Sequence, residues 1–411
     1  MTQDQQGYSR RDFISKGIAG ITIGGLLGGL ADDAFSYPVK DKKPGTQKQI
    51  IYRTLGKTGI KIPVVSMGVM NASVPELVRH SYEVGIRHFD TAAYYQGGLN
   101  EEMIGKVLQQ LNARKKTIVG TKIYIPHERR QIPAAHVKEF YIKTAEESLK
   151  RLQTDYIDIL YSHSVDTLAW QNHEGILEAL QLLKQQGKTR FIGFSTHANM
   201  PECIDDAAKS GLYDVILTTF NFALHRWEPL LQALKHASEK KIGLIAMKTQ
   251  SSQDWYLSDM PMEIQSYYRD PLVQTAVLKW VLRHPFITTA IPGYTSFQQI
   301  DEDFTAAYDL TYTEKEKKFL TDKNVDLALG YCRQCGECTQ QCAKGSDIPT
   351  LMRVHMYSVC YNNFRHARTT IDDIPLDRSL GNCAFCTRCS AQCGHGVDIA
   401  RRIDELKSIY G

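Results

Sequence analysis

The chain has no hydrophobic run long enough to span a bilayer as a helix. Near the N-terminus the apolar stretch 17–30, GIAGITIGGLLGGL, falls short of the ~20 residues a membrane helix needs, and its glycines weaken it further. Charge of one sign is lacking too. Lys and Arg together number 49 against 45 Asp and Glu, a net charge of +4. With no basic run, nothing points to a nucleic-acid partner. Cysteine is almost absent from the first 331 residues, where only Cys203 occurs. That excludes a disulfide framework from most of the chain. What remains is a chain of 411 residues with ordinary hydrophobic and charged fractions, long enough for a large core and more than one domain.

Arg10, Arg11 and Phe13 precede the weakly apolar stretch. The pattern resembles a twin-arginine export signal, which implies export of a folded protein by the twin-arginine (Tat) machinery, to a periplasmic location. Small residues at Ala31 and from Ala34 to Ser36 offer cleavage sites; a retained anchor is the alternative. Residues 1–36 are read as the signal and the polar stretch 37–48 as a linker.

From residue 49 to 322, short β-branched runs alternate with amphipathic patterns. Strands are expected at Val64–Val69, Arg87–Thr91, Thr117–Ile123, Tyr156–His163, Arg190–Ser195, Asp214–Asn221, Ile242–Lys248 and Ile287–Pro292. Helices are expected at Pro75–Val84, Glu101–Leu111, His136–Leu152, Gly175–Gln186, Met200–Ser210, Glu228–Lys240 and Leu272–Arg283. This alternation is that of an α/β (β/α)8 TIM barrel. An open doubly wound sheet would want a glycine-rich turn after the first strand, and MGVMNASVPE has none.

Titratable residues stand where apolar runs stop: Asp90, Lys122 and His163 end the second, third and fourth strands. Tyr95 follows Asp90 in a loop broken by Gly97 and Gly98. In a barrel these four meet over the C-terminal mouth. A phenol of pKa ~10 works as an acid near neutral pH when an ammonium lowers its pKa, and a carboxylate can hold that ammonium.

The blocks FDTA…YY…NE..IG, GTK, SLKRLQTDYIDILYSH and IPGYTSFQQIDED occur in this order. Together they resemble the aldo-keto reductase family over residues 49 to about 310. The resemblance implies carbonyl reduction with NAD or NADP on a small molecule. Tyr95 would donate the proton, Lys122, held by Asp90, would lower the Tyr95 pKa, and His163 would orient the carbonyl. It also implies cofactor contacts from Ser195, Thr196, Lys248, Gly293, Thr295, Gln299, Glu302 and Asp303. The pattern departs at Thr196, where an asparagine is usual, at Leu217 (glutamine), at Met247 (an aromatic) and at Gln299 (often an arginine). The segment Ser251–Tyr268 falls where specificity loops are expected and carries no readable code.

Residues 323–411 hold two cysteine runs. Cys332, Cys335, Cys338 and Cys342 are spaced C-x2-C-x2-C-x3-C, and Cys383, Cys386, Cys389 and Cys393 repeat the spacing. This is the bacterial iron–sulfur pattern, each closely spaced triplet wrapping one cluster while its fourth thiolate serves the other. Two 4Fe–4S clusters are expected, in a small, mainly helical ferredoxin-like domain; zinc usually takes paired C-x2-C units. Ala343 and Gly394 stand where a proline usually follows the last cysteine. Helices are expected over 349–368 and 399–410, and Cys203 and Cys360 as structural cysteines. A redox partner protein fits such a tail. A hydride donor gives two electrons at once and a cluster accepts one; no flavin motif bridges them. The competing readings are an electron-transfer protein with a non-catalytic barrel and a zinc-stapled binding module.

Overall fold

The computed structural model describes residues 49–250, 262, 271–322 and 331–411. The signal and linker assignments lie outside these residues, as does Ser251–Tyr268 apart from Met262. No described helix is long and apolar enough to cross a membrane.

A hairpin comes first: strand β1, Tyr52–Thr54, pairs antiparallel with β2, Lys61–Pro63. Then follow β3, Met67–Gly68; β4, His88–Asp90; β5, Ile118–Ile123; β6, Ile157–Val165; β7, Thr189–Thr196; β8, Val215–Thr219; β9, Gly243–Met247; and β10, Thr289–Ala290. These eight pair in sequence order, all parallel. Parallel bridges Val65–Ala290 and Gly68–Gly293 join the first to the last. The expected (β/α)8 barrel is therefore present, and the helices fall within two residues of their expected bounds.

Alternation along the strands produces two apolar layers. Ile159, Tyr161, Val215, Leu217 and Ile245 pack inside with Leu55, Ile60 and Ile62 of the hairpin. The hairpin closes the N-terminal end: the Lys57 N–H donates to Lys241 O, just before β9, at 2.6 Å. The strands' outward residues pack with the helices in the main core. The hairpin leaves no periodic signal in the sequence, because its strands are three residues long.

The cysteine-rich tail forms one compact unit with the barrel, Lys48–Gly411. Its helices are Ile348–His355, Phe364–Asp372 and Ile399–Tyr410. The helix expected over 349–368 is broken: a π turn at Met356–Cys360 and Asn362 at φ 51° separate its two halves. Asp347 and Asp398 cap the first and last helices in the same way, each accepting the N–H three residues on. That likeness matches the similar sequences that follow the two cysteine runs, GSDIPTLMR and GHGVDIARR.

Candidate active site

Lys122 and Asp90 stand at the C-terminal mouth, both buried. The Lys122 ammonium donates to Asp90 Oδ1, and to Thr91 O at 2.6 Å. Burial pushes Asp90 upward and Lys122 downward, each toward its neutral form, while their attraction opposes both shifts. Gly120 makes room for the pair: a Cβ there would lie 3.2 Å from Asp90 Oδ2 and 3.1 Å from Tyr161.

Tyr95 follows in a tight loop where Gln96 and Gly97 both take left-handed backbone, with φ of 53° and 68°. The next helix, Leu99–Gln110, is tied to the strands by its buried first turn. Asn100 donates to Val69 O at 2.9 Å and accepts from Thr91 at 2.6 Å. Glu101 accepts from Thr121 at 2.6 Å and from Arg151 at 2.7 Å. The NE pair of the motif thus fixes the loop that carries Tyr95. Its ring centroid lies 5.3 Å from Lys122 Nζ and 5.8 Å, edge-on, from His163. At His163 the register of β6 shifts between Ser162 and Val165, with Ser164 at φ 54°. Such a bulge re-aims a side chain beside a site.

The electrostatics differ in one respect from expectation. Burial, then the charges of Asp90 and Tyr357, holds the Tyr95 phenol well above its ordinary value, opposite in direction to the lowering expected from Lys122. Tyr95 is thus a protonated donor. His163 is held well below the usual imidazole range by burial, then by Lys122, His366 and Arg353, so it is neutral. Its Nδ1 is buried without a protein partner.

All four residues line a cavity of about 300 Å³, with Lys248, Gly293, Thr295, Gln299, Glu302 and Asp303 also in its wall. The Gln299 carbonyl accepts from the Thr295 and Ser296 N–H groups at 2.8 and 3.2 Å and so caps its own helix. Asp303 accepts from Gln250 at 2.8 Å, and burial pushes its carboxyl up to about 7. Ser195 and Thr196 are not in this wall. Ser195 Oγ accepts from Ser164 N at 3.0 Å, and Thr196 donates to Ala198 O at 2.8 Å. Leu217 belongs to the apolar barrel interior, whereas Met247, at its edge, also lines the cavity.

The tail completes the cavity. Tyr357, Cys360, Tyr361 and His366 line it. The His366 ring sits 5.6 Å, edge-on, from that of Tyr95 and 4.4 Å from that of Tyr357. No motif pointed to these residues, nor to Tyr124 or Arg353 beside them; Tyr94 stands in the YY motif, which assigns it no role. Cys360 therefore faces this cavity, whereas Cys203 lies in the core, its thiol pushed up to about 12 by burial.

The ten cysteines form no disulfide. Cys332, Cys335 and Cys338 lie with Cys393 around one small cavity. Cys383 is instead a neighbour of Cys342, Cys386 and Cys389. The fourth thiol of each run is thus placed with the triplet of the other. Gln334 donates to Cys332 Sγ at 3.2 Å and His395 N–H to Cys393 Sγ at 3.3 Å. Ser346 Oγ lies 3.5 Å from Cys383 Sγ. Cys335 also shares a three-ligand group with Glu337 and His395.

A parallel eight-stranded barrel whose mouth gathers a tyrosine, a histidine and a buried lysine–aspartate pair defines a barrel oxidoreductase. The Aldo/keto reductase family model matches residues 65–253. The chain is 29% identical over 302 residues to L-galactose dehydrogenase of Arabidopsis thaliana, covering 67% of this chain and 93% of that one. It is 25% identical over 322 residues to L-glyceraldehyde 3-phosphate reductase of Escherichia coli strain K12, covering 66% and 92%. The aldo-keto reductase AKR11C1 from Bacillus halodurans has the same fold, with TM-score 0.54, 22% identity, and 66% and 95% of the two chains covered. The barrel is similar to the aldo-keto reductases, and the protein is an NAD(P)-dependent oxidoreductase of aldo-keto reductase-like kind.

Proposed function

We propose that this protein reduces the carbonyl of a small molecule with NADPH or NADH, that its tail holds two 4Fe–4S clusters, and that it is exported through the twin-arginine route to the periplasm. The observation that carries the catalytic part is the buried Lys122–Asp90 pair, set against Tyr95 and His163 in one cavity.

When bound, the nicotinamide supplies a hydride to the carbonyl carbon. Neutral His163 is suited to donate a hydrogen bond to the carbonyl oxygen and set its direction. As the C–O π bond breaks, that oxygen becomes basic and takes the phenolic proton of Tyr95, leaving an alcohol. The phenolate left on Tyr95 faces the Lys122 ammonium, which Asp90 and Thr91 O hold in place. The raised pKa of Tyr95 keeps its proton in place until that moment. Lys248, Gly293, Thr295, Gln299, Glu302 and Asp303 line the same cavity and are the candidate cofactor contacts. The test is nicotinamide oxidation with a panel of aldehydes and ketones. Cofactor binding without turnover of any of them would favour a non-catalytic barrel.

The tail's donor set fits the proposed clusters. Eight thiols form two groups of four, and N–H donors approach two of the sulfurs, as suits thiolate ligands. Cys332, Cys335, Cys338 and Cys393 would hold one cluster; Cys383, Cys386, Cys389 and Cys342 the other. Each would supply one-electron capacity to a partner protein. Export rests on Arg10 and Arg11. Replacing both by lysine should leave the protein in the cytoplasm, and unchanged export would remove this part of the proposal.

A further inference from the structure

Beside the catalytic cavity lies a second one of about 270 Å³, between the barrel mouth and the tail. Tyr357, His366 and His197 line both cavities and form the wall between them. Three arginines and three aspartates face the second. The aspartates are engaged. Both oxygens of Asp166 accept from Arg130 Nη1 at 2.8 Å. Asp347 accepts from Thr350 N at 3.2 Å and lies 3.7 Å from Arg378. Asp373 accepts from the Tyr124 hydroxyl, and from His127 N at 3.2 Å.

The arginines are not equally engaged. Arg130 Nε and Nη2 are buried with no hydrogen-bond partner, although the same guanidinium pairs through Nη1. Arg353, on the first tail helix, makes one long hydrogen bond, to Thr350 at 3.5 Å. Among the described residues, no carboxylate lies within ion-pair distance of it. Its charge is felt at Tyr94, His163, His197 and His366, so it sits close to the catalytic groups. A guanidinium carries five donors in a fixed fork. Leaving such donors buried and unfilled is costly, and an anion fills them well.

We infer that the second cavity binds an anionic group on the substrate, a carboxylate or a phosphate, with Arg353 and the unfilled edge of Arg130 as its donors. The inference rests on the carbonyl-reduction reading and names its substrate class: a carbonyl compound whose acidic end sits under the tail while its carbonyl meets Tyr95 and His163. A neutral analogue would leave the guanidinium donors empty, and a site built to hydrogen-bond a group discriminates strongly against compounds that lack it.

The test uses straight-chain aldehydes of matched length ending in a methyl, a carboxylate or a phosphate. In the full-length wild-type enzyme, kcat/KM for one of the acidic compounds should exceed that for the methyl compound at least ~10-fold, the range of a charge-assisted hydrogen bond. The two acidic arms identify which anion fits. Arg353→Gln should collapse the acidic-to-neutral ratio ~10- to 100-fold by the same range, mainly through KM, and Arg353→Lys should restore part of it. A wild-type ratio near one, or a ratio that Arg353→Gln does not alter, overturns the inference while leaving carbonyl reduction standing. A readout without turnover runs beside it: inorganic sulfate should raise the Tm of the wild-type protein and not that of Arg353→Gln. An enzyme that reduces none of the aldehydes removes the carbonyl reading. The sulfate measurement then decides the anion site alone, and the absence of a sulfate-dependent shift in the wild type overturns it.

Discussion

Lys248, at the end of strand β9, donates a 3.0 Å hydrogen bond to the hydroxyl of Tyr357, which lies in the tail 109 residues further on. The ammonium also lies 4.7 Å from that ring's centroid. Lys248 is a candidate cofactor contact, so this bond ties the tail to the cavity wall at a candidate functional position. Three more ties surround it. Asn363 donates to Asn71 at 2.9 Å and Arg365 to Gln96 O at 3.2 Å, while Tyr124 donates to Asp373. The cysteine-rich segment is therefore a wall of the candidate active site as well as a candidate electron carrier.

The tetrad predicts a non-additive pair of mutations. Tyr95→Phe removes one hydroxyl, so cofactor binding should survive while kcat falls by a factor of ~100 to 10,000, as for loss of a general acid. Lys122→Met removes the charge that faces the developing phenolate and acts through the same proton. The double mutant should be little worse than the worse single one. Comparing the four enzymes on one aldehyde measures this, and additive losses would show that the two residues act independently.

The cysteine arrangement predicts iron. Protein purified without air should be brown and carry about eight iron atoms per chain, four for each cluster. Because Cys393 lies with the first triplet, Cys393→Ser should perturb the cluster held by Cys332, Cys335 and Cys338, leaving the other near native; Cys342→Ser should do the reverse. Metal analysis with electron paramagnetic resonance of the reduced variants reads this. Colourless protein with stoichiometric zinc would contradict it.

Two buried histidines predict acid sensitivity. Burial, then Lys122, lowers His88 to about 3; burial, then Lys248 and Arg353, lowers His366 to about 3. At neutral pH neither binds a proton, folded or unfolded, so neither affects stability there. Below the unfolded value of ~6.5 the unfolded chain takes up protons that the folded one refuses. Stability should therefore fall as pH drops from about 6.5 toward 3, by up to ~1.4 kcal/mol per pH unit for each histidine. His366→Gln should flatten the slope of Tm against pH over that range. An unchanged slope would place the proton uptake elsewhere.

Barrel and tetrad were legible in the sequence because both depend on local periodicity. Strands buried on both faces read as short apolar runs, and a titratable residue at the end of such a run falls at the barrel mouth whatever the loops do. Asp90, Lys122 and His163 could be placed in that way, and the cysteine spacing gave the two groups of thiols by the same kind of local rule. The β1–β2 hairpin was not legible, since strands of three residues carry no period. Ser195 and Thr196 were assigned to the cofactor by motif, yet their hydroxyls turn to backbone partners outside the cavity wall, a matter of side-chain direction. Arg353, Tyr357 and His366 lie far from the tetrad in sequence and belong to no motif. Only packing the tail over the barrel mouth brings them to Tyr95 and His163, because the contacts that seat it, Lys248 to Tyr357 and Tyr124 to Asp373, join residues more than a hundred positions apart.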